Sequence, residues 1–353
     1  MTYCIQCGKE LTQDAAFCTG CGAEAPQSAS STPAAEKTPP VPANKGVTFR
    51  NSGIGLLLTG VLLIAVHILA FASSPMFLHF SNIANLLRQF AVASAIGFAV
   101  VLSMRAKGPD LSVGSVMGLS AVIVSSIGLS SGSVWIGLLA ALAVSIVIGS
   151  INGIFSVYFR VPAVIITIIT SALAYSISLL ISQGQFITGP FPSLKDIPAA
   201  SFILILMTFS LAFLLIMLTP LGLPQHKREK NMRPVSFVFA YVASAVIAVF
   251  AGFFLVLRLG GAQSGLGAGY EVNVLFIFAV VYSIRVLDNR IAPVLFSIIP
   301  AWILCVLNNA LALMGSQFYV QNLISGSLAL IFGILAYVCR QEKRKAMLSL
   351  MPD

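Results

Sequence analysis

The chain has 353 residues, of which only 9% are charged and 58% are hydrophobic. Ordinary soluble domains carry roughly 25% charged residues, so this composition excludes a single water-soluble core and indicates a bilayer, whose hydrocarbon solvates apolar side chains. The formal net charge of +9 comes from short basic clusters beside apolar runs. Because no basic face with interleaved aromatic residues is present, we exclude nucleic acid as a partner and expect membrane lipid instead.

Four of the six cysteines form two C-x-x-C-G units, at Cys4 and Cys7 and at Cys18 and Cys21. A tetrahedral zinc site takes four thiolates, and each C-x-x-C turn supplies two of them from one tight loop. The pattern therefore predicts a zinc ribbon over residues 1–24, in which a structural Zn²⁺ supplies much of the folding free energy. Two disulfides are an alternative that requires an oxidising compartment, and a redox C-x-x-C motif would need a larger thioredoxin-like fold.

Residues 25–48 are rich in Pro, Ala, Ser and Thr and contain few large apolar side chains. Such a segment cannot bury enough apolar surface to order itself. We therefore expect a disordered linker here, followed by a transmembrane domain over residues 49–340 and a cytoplasmic tail over residues 341–353.

Apolar runs long enough to cross about 30 Å of hydrocarbon follow one another from residue 52 onward. The predicted spans are 52–72, 89–104, 112–130, 134–157, 162–182, 200–220, 235–257, 271–285, 291–311 and 320–339. The expected fold class is thus an all-α polytopic membrane protein with about ten transmembrane helices, plus the small zinc ribbon. The second and eighth runs are short and flanked by glycine or ionisable residues, which indicates broken or re-entrant segments.

With ten spans, the clusters of Lys and Arg all fall on one side of the membrane. Their members are Lys45, Arg50, Arg105, Lys107, Arg160, Lys227, Arg228, Lys230, Arg233, Arg285, Arg290, Arg340, Lys343, Arg344 and Lys345. The positive-inside rule makes this side cytoplasmic. Both termini and the zinc ribbon are then expected in the cytosol, where thiols stay reduced.

One ionisable residue, Asp110, lies between two apolar runs in the stretch Lys-Gly-Pro-Asp-Leu-Ser-Val-Gly-Ser. Gly and Pro break a helix and Asp110 can cap the next one, whereas an acid at the membrane edge is also a functional candidate. Ser112 and Ser115 follow it as turn residues or as neighbours of a solute path. Asn152 is expected to donate an interhelical hydrogen bond. Glu271 is expected to begin the eighth span, where a carboxylate suits a helix N-terminus.

The segment Asp110-Leu-Ser-Val-Gly-Ser resembles the signature of the ribose-type permeases of ABC sugar importers. Further segments are similar to that family in the same order along the chain. They are Ser81–Gln89, Gly149–Gly153, Val161–Thr167, Gly267–Glu271 and the set Asn308, Asn309, Gly315, Gln321 and Gly326. The resemblance extends over about residues 75–340, nearly the whole predicted membrane domain.

The resemblance implies a permease subunit in the plasma membrane of a bacterium, paired with a second permease copy in a homodimer or heterodimer. A solute-binding protein outside the cytoplasm would deliver a sugar or related small solute, and a separate ATP-binding subunit would drive transport. The candidate residues beside the translocation path are Asp110, Ser112, Ser115, Asn152 and Glu271. The chain lacks a G-x-x-x-x-G-K-[ST] phosphate loop, so we expect a transport subunit and no enzyme.

Three segments depart from the family pattern. The basic loop 221–233 lacks the Gly-Asn…Ala-Ala…Gly stretch that docks these permeases onto the ATPase, 283–290 lacks paired glycines, and Pro109 replaces a branched aliphatic residue. Candidate partner contacts in the loop are Lys227, Arg228, Lys230 and Arg233, although topology alone accounts for a basic loop. The departures leave open a non-transporting membrane scaffold or sensor, derived from a permease, whose zinc ribbon binds a cytosolic partner.

Overall fold

The structure is a computed structural model of the chain. It describes residues 2–3, 10–11, 45–189, 213, 215–216, 219, 232–284 and 292–348. Several sequence predictions fall outside these residues and stay predictions. They concern Cys4, Cys7, Cys18, Cys21, Lys227, Arg228, Lys230 and most of the sixth predicted span.

The chain divides into two units, Met1–Lys45 and Gly46–Asp353. In the first unit, strand β1 (Thr2–Tyr3) pairs antiparallel with strand β2 (Glu10–Leu11), with Thr2 opposite Leu11. The chain between these strands contains the first C-x-x-C pair of the predicted zinc ribbon. The boundaries predicted for the ribbon, the linker and the tail stay predictions.

The second unit contains nine helices within the described residues, each long and apolar enough to cross a membrane. Their bounds are α1 Lys45–Ser73, α2 Phe80–Met104, α3 Val113–Ser131, α4 Val134–Val157, α5 Ala163–Ser182, α6 Pro234–Leu259, α7 Gly265–Ile284, α8 Ala292–Leu313 and α9 Phe318–Leu348. A 3-10 helix at Pro75–Leu78 and the two-residue strands β3 (Ile187–Thr188) and β4 (Gly261–Ala262) complete the unit. The predicted all-α polytopic fold is confirmed.

The prediction of broken or re-entrant second and eighth segments is wrong. Helix α2 runs unbroken for 25 residues and helix α7 for 20 residues, because both begin well before their apolar runs. Polar residues such as Asn82 and Arg88 occupy the first turns of α2 without ending the helix. In α7, Gly267 serves close packing against α3 and does not interrupt the backbone.

Two contacts define the two ends of the bundle. At one end, β3 after α5 pairs with β4 after α6, with Ile187 opposite Ala262. We call this the strand end. At the other end, the Tyr241 hydroxyl at the start of α6 donates to the carbonyl oxygen of Gly108, between α2 and α3, at 2.9 Å. We call this the basic end, since its described residues include Arg105, Lys107, Arg160 and Arg233.

Helices differ sharply in how much of their surface other helices cover. Of the 18 most apolar consecutive residues in each helix, 83% are buried in α2 and 78% in α3, against 22% in α1 and 11% in α9. Helix α3 contacts α4, α5, α6 and α7. Because lipid solvates apolar side chains, the exposed leucines and isoleucines of the outer helices need no protein cover.

Glycine allows the inner helices to approach closely. A Cβ on Gly149 or Gly153 of α4 would lie 2.8 Å from the Cα of Val242 or 2.9 Å from the Cα of Val238 in α6. This G-x-x-x-G spacing therefore gives a close contact between α4 and α6. Gly118 of α3 faces α7 in the same way, since its Cβ would lie 2.6 Å from the Gly267 Cα.

Candidate functional site

Asp110 lies in the connection between α2 and α3, with only 1% of its surface exposed. Its Oδ1 accepts hydrogen bonds from the Ser112 backbone N–H at 2.9 Å and from the Ser112 hydroxyl at 2.6 Å. Its own N–H donates to the Ser103 hydroxyl at 2.8 Å. Asp110 thus holds the turn that leads into α3, which begins at Val113 with Ser112 at its N-cap position.

Asn152 of α4 ties this turn to two further helices. Its amide nitrogen donates to the Ser112 hydroxyl at 3.0 Å and lies 3.5 Å from Asp110 Oδ1. Its amide oxygen accepts from the Thr170 hydroxyl of α5 at 2.8 Å. Ser244 of α6 completes the group, with its hydroxyl 3.3 Å from Asp110 Oδ2. We call these five residues the Asp110 cluster, which joins the α2–α3 connection to α4, α5 and α6.

The groups that the structure describes as donating to Asp110 are all neutral: a backbone N–H, two hydroxyls and an amide. Burial raises the pKa of the Asp110 carboxyl above its usual range, while the bonds from Ser112 and Ser244 act in the opposite direction. Hydrogen bonds from several neutral donors stabilise a buried carboxylate without a counter-ion. The cluster therefore joins the α2–α3 connection to three helices through hydrogen bonds.

Glu271 lies in a separate and smaller group. Its Oε1 accepts from the hydroxyls of Ser115 in α3 and Ser171 in α5, the latter at 2.9 Å, and the two hydroxyls lie 2.9 Å apart. The expectation that Glu271 begins its helix is wrong, because α7 begins six residues earlier at Gly265. Hydroxyls from two neighbouring helices satisfy this carboxylate, in place of a helix terminus.

The structure thus brings the five membrane candidates into two adjacent groups around α3. Asp110, Ser112 and Asn152 share the first group, and Ser115 and Glu271 share the second. Sequence reasoning missed Thr170, Ser171 and Ser244. A signal for the first two was available, because hydroxyl and small residues recur at helical spacing along α5 and face α3.

Arg233 is the one candidate of the basic loop that the structure describes. It immediately precedes Pro234, the first residue of α6, with its backbone extended. Close by, the Lys107 ammonium lies 5.1 Å from the ring centroid of Phe237, which links the α2–α3 connection to the start of α6. Arg233 therefore lies at the basic end, at the start of α6.

Two family models match the chain. Residues 82–222 match the branched-chain amino acid transport system / permease component family, and residues 3–25 match a zinc-ribbon domain. The first match contains α2 to α5 and therefore Asp110, Ser112, Ser115 and Asn152. The second contains all four cysteines of the C-x-x-C-G pairs.

Curated relatives cover most of the membrane unit. The ribose import permease protein of Haemophilus influenzae is 28% identical over 284 residues, which is 74% of this chain and 87% of the relative. The ribose import permease protein of Bacillus subtilis is 27% identical over 78% of this chain and 89% of the relative. The autoinducer 2 import system permease protein of Yersinia pseudotuberculosis is 28% identical over 70% of this chain and 74% of the relative.

No solved structure matches the chain significantly. The similarity is therefore one of sequence, and it covers 87% and 89% of the length of these two ribose import permeases. The resemblance inferred from the Asp-Leu-Ser-Val-Gly-Ser segment is confirmed: the chain is similar to ribose import permeases and has a zinc-ribbon match at its N-terminus.

Proposed function

We propose that this chain is the membrane-spanning permease subunit of an ABC-type importer for a sugar or a related small solute. The observation that carries the proposal is the similarity to ribose import permeases along 74–78% of the chain. A polytopic helical unit with buried polar groups in its interior supports it, because polar residues at membrane depth characterise transport proteins.

The Asp110 cluster has a structural role in this proposal. Relative movement of helices must open and close a path, and rigid elements carry such movement. The cluster links the α2–α3 connection to α4, α5 and α6, so that these segments move as one body. The hydrogen bonds that Glu271 accepts from Ser115 and Ser171 link α7 to α3 and α5 in the same way.

The partners follow from the importer proposal. A second permease copy would complete the path, and a solute-binding protein outside the cytoplasm would deliver the solute. A separate ATP-binding subunit would bind at the basic end, where Arg233 lies, and Lys227, Arg228 and Lys230 of the preceding sequence are proposed as further contacts. By the positive-inside rule, that end and both termini would face the bacterial cytosol in this proposal.

The zinc ribbon is proposed to bind one structural Zn²⁺ through Cys4, Cys7, Cys18 and Cys21. Four thiolates from two C-x-x-C turns are the donor set that tetrahedral zinc prefers. The metal would cross-link the two turns and thereby stabilise a segment too short to fold by burial of apolar surface. In the cytosol these thiols would stay reduced and available to the metal.

A second candidate function is a non-transporting scaffold or sensor whose zinc ribbon binds a cytosolic partner. The observation that favours it is the basic loop 221–233, which lacks the ATPase-docking stretch of these permeases. The match to the permease family model also ends at residue 222, where this loop begins.

Native purification separates the two candidates. The tagged full chain is extracted from its own membranes, and bound proteins are identified by mass spectrometry before and after Lys227, Arg228 and Lys230 are replaced by Ala. The importer proposal predicts a stoichiometric ATP-binding subunit that is weakened by the triple replacement. Capture of a cytosolic protein through the zinc ribbon, with no ATP-binding subunit in any preparation, would support the scaffold instead.

A further inference from the structure

Ser244 of α6 lies between an acceptor on α2 and the carboxyl group of Asp110. Its hydroxyl oxygen is 3.1 Å from the carbonyl oxygen of Ala99 and 3.3 Å from Asp110 Oδ2. A hydroxyl group has only one hydrogen to donate. Ser244 can therefore donate to α2 or to the carboxyl group, but not to both at once, and the carbonyl oxygen is the nearer acceptor.

The two carboxyl oxygens of Asp110 are unequally supplied with donors. Oδ1 accepts from the N–H and the hydroxyl of Ser112, and the amide nitrogen of Asn152 lies 3.5 Å away. Among the described residues, Ser244 alone lies within hydrogen-bonding distance of Oδ2. Asp110 and Ser244 are both buried. When Ser244 donates to α2, an ionised carboxylate would keep Oδ2 buried without a donor, which is unfavourable.

Ser103 shows how a hydroxyl in this cluster is satisfied on both sides. It accepts from the backbone N–H of Asp110 at 2.8 Å and donates to the carbonyl oxygen of Val100 at 2.8 Å. Its hydroxyl thus connects a donor on Asp110 to a carbonyl of α2. Ser244 has the same kind of carbonyl on one side, and on its other side Oδ2 needs only a hydrogen to become the matching donor.

No charged group among the described residues competes for Oδ2. Arg105 at the end of α2 and Lys107 in the connection form no ion pair with Asp110 in the part of the chain that the structure describes. Tyr241 of α6 donates its hydroxyl hydrogen to a backbone carbonyl of the connection. The side chains that α4 and α5 bring to the cluster, Asn152 and Thr170, do not titrate.

We propose that Asp110 binds a proton on Oδ2, and that this proton completes a chain of hydrogen bonds from Asp110 through Ser244 to Ala99. The proton comes from solvent, the carboxylate becomes a carboxylic acid, and no other covalent bond changes. Oδ2–H donates to Ser244, whose own hydrogen is then free to bond α2. Protonation thus lets Ser244 hold α2 and the α2–α3 connection together. The inference concerns the Asp110 cluster alone and does not rest on the importer proposal.

The first test is infrared spectroscopy of the full chain in lipid nanodiscs, between about pH 5 and about pH 8. We expect the C=O stretching band of a protonated carboxylic acid, which is lost in Asp110→Asn. In Ser244→Ala the band should move to another frequency, because the acid proton loses its acceptor. Glu271→Gln is the matched control and should keep the band, since this second carboxylate of the bundle accepts from other hydroxyls.

Two infrared results would overturn the inference. One is the absence, at every pH in the range, of a band that depends on Asp110. The other is a band that stays at the same frequency in Ser244→Ala, which would show that Ser244 does not accept the proton.

The second test is heat survival of the purified chain in detergent over the same pH range. Burial raises the pKa of the Asp110 carboxyl, so the folded chain holds the proton more firmly than the unfolded chain. The stability that this proton contributes is complete below the ordinary pKa of an aspartate and is lost as the pH rises through the raised value. Between the two ends of the pH range, the temperature of half-survival should fall by roughly 3 °C or more in the wild type relative to Asp110→Asn.

Equal pH dependence of heat survival in the wild type and in Asp110→Asn would also overturn the inference. Glu271→Gln should keep the pH dependence of the wild type, because it leaves the proton site unchanged. If Asp110→Asn does not fold, the infrared band of the wild type and its response to Ser244→Ala decide.

Discussion

The structure contains a cavity among α2, α6, α7, α8 and α9, here called the strand-end cavity. The Asp110 cluster and this cavity both contain polar side chains, but they differ in the hydrogen bonds that these side chains make to protein. In the cluster, Asp110, Ser112 and Asn152 bond to one another and are almost fully buried. Asn273 and Asn322 line the cavity of about 610 Å³, and no described residue makes a hydrogen bond to either side-chain amide. The hydrogen bonds of the cluster join helices, whereas these cavity amides join no helices among the described residues.

This difference predicts opposite responses to substitution. Removing a group from a satisfied network leaves its partners buried and unpaired, so that stability falls. Removing a cavity amide that bonds to no described residue leaves none of those residues unpaired, so that stability should not fall. The predictions below test this contrast, from the largest expected effect on the folded bundle to the smallest.

Asp110→Ala should lower the free energy of unfolding by about 3 kcal/mol, because Ser112 and Asn152 lose their acceptor in a buried site. The measurement is heat survival of the purified chain in detergent, followed by fluorescence-detected size-exclusion chromatography. Asp110→Asn keeps one acceptor oxygen and should cost roughly a third as much. Equal heat survival of Asp110→Ala and the wild type would show that the cluster is not a joint.

Gly118→Ala should destabilise the bundle by roughly 1–3 kcal/mol, since overpacking at a close contact forces the backbone to shift. A Cβ at position 118 would lie 2.6 Å from the Gly267 Cα, where α3 contacts α7. Gly333→Ala is the control, because no atom lies within 4 Å of its Cβ position. The same heat-survival assay should separate the two variants, and indistinguishable curves would contradict the contact.

Ser171→Ala should cost about 0.6 kcal/mol, the average for a hydrogen bond between membrane helices. It removes one of the two hydroxyls on Glu271. Ser176→Ala on the same helix is matched in chemistry, but its hydroxyl bonds only the Ala172 carbonyl oxygen of its own helix. A larger loss from Ser176→Ala than from Ser171→Ala would place the stabilising contact elsewhere.

Cys4→Ser should abolish stoichiometric zinc and leave the heat survival of the membrane unit unchanged, because the ribbon is expected to be a tethered module. Zinc is measured by inductively coupled plasma mass spectrometry on the purified chain, with Cys305→Ser as the control that keeps all four ligands. Full zinc content in Cys4→Ser, or loss of the whole protein from the membrane, would contradict this organisation.

The sequence predicted the helices well wherever the apolar run and the helix coincide, as in α4, which matches its predicted span of 134–157. The prediction failed where a helix continues through polar residues, because the length of the apolar run was the only signal for where a helix begins and ends. For that reason the sequence predicts a helix start at Glu271, although the hydroxyls of Ser115 and Ser171 accommodate this carboxylate within α7.

The candidate site was only partly predictable. Asp110 and Ser112 are neighbours in the chain, so their bond follows from local geometry, and Asn152 was expected to reach another helix. Which hydroxyls meet these residues depends on how α5 and α6 pack, and sequence spacing does not determine that packing. The cavity depends on five helices at once, so its amides could not be grouped before the fold was known.

The central claim is that this chain forms the solute path of an importer. The most direct test is uptake of radiolabelled D-ribose by proteoliposomes that contain the full chain and the ATP-binding and solute-binding proteins that co-purify with it. We predict saturable uptake that requires ATP and is lost when the chain is omitted. Uptake no greater than in liposomes without the chain, in the presence of active partners, would contradict the claim.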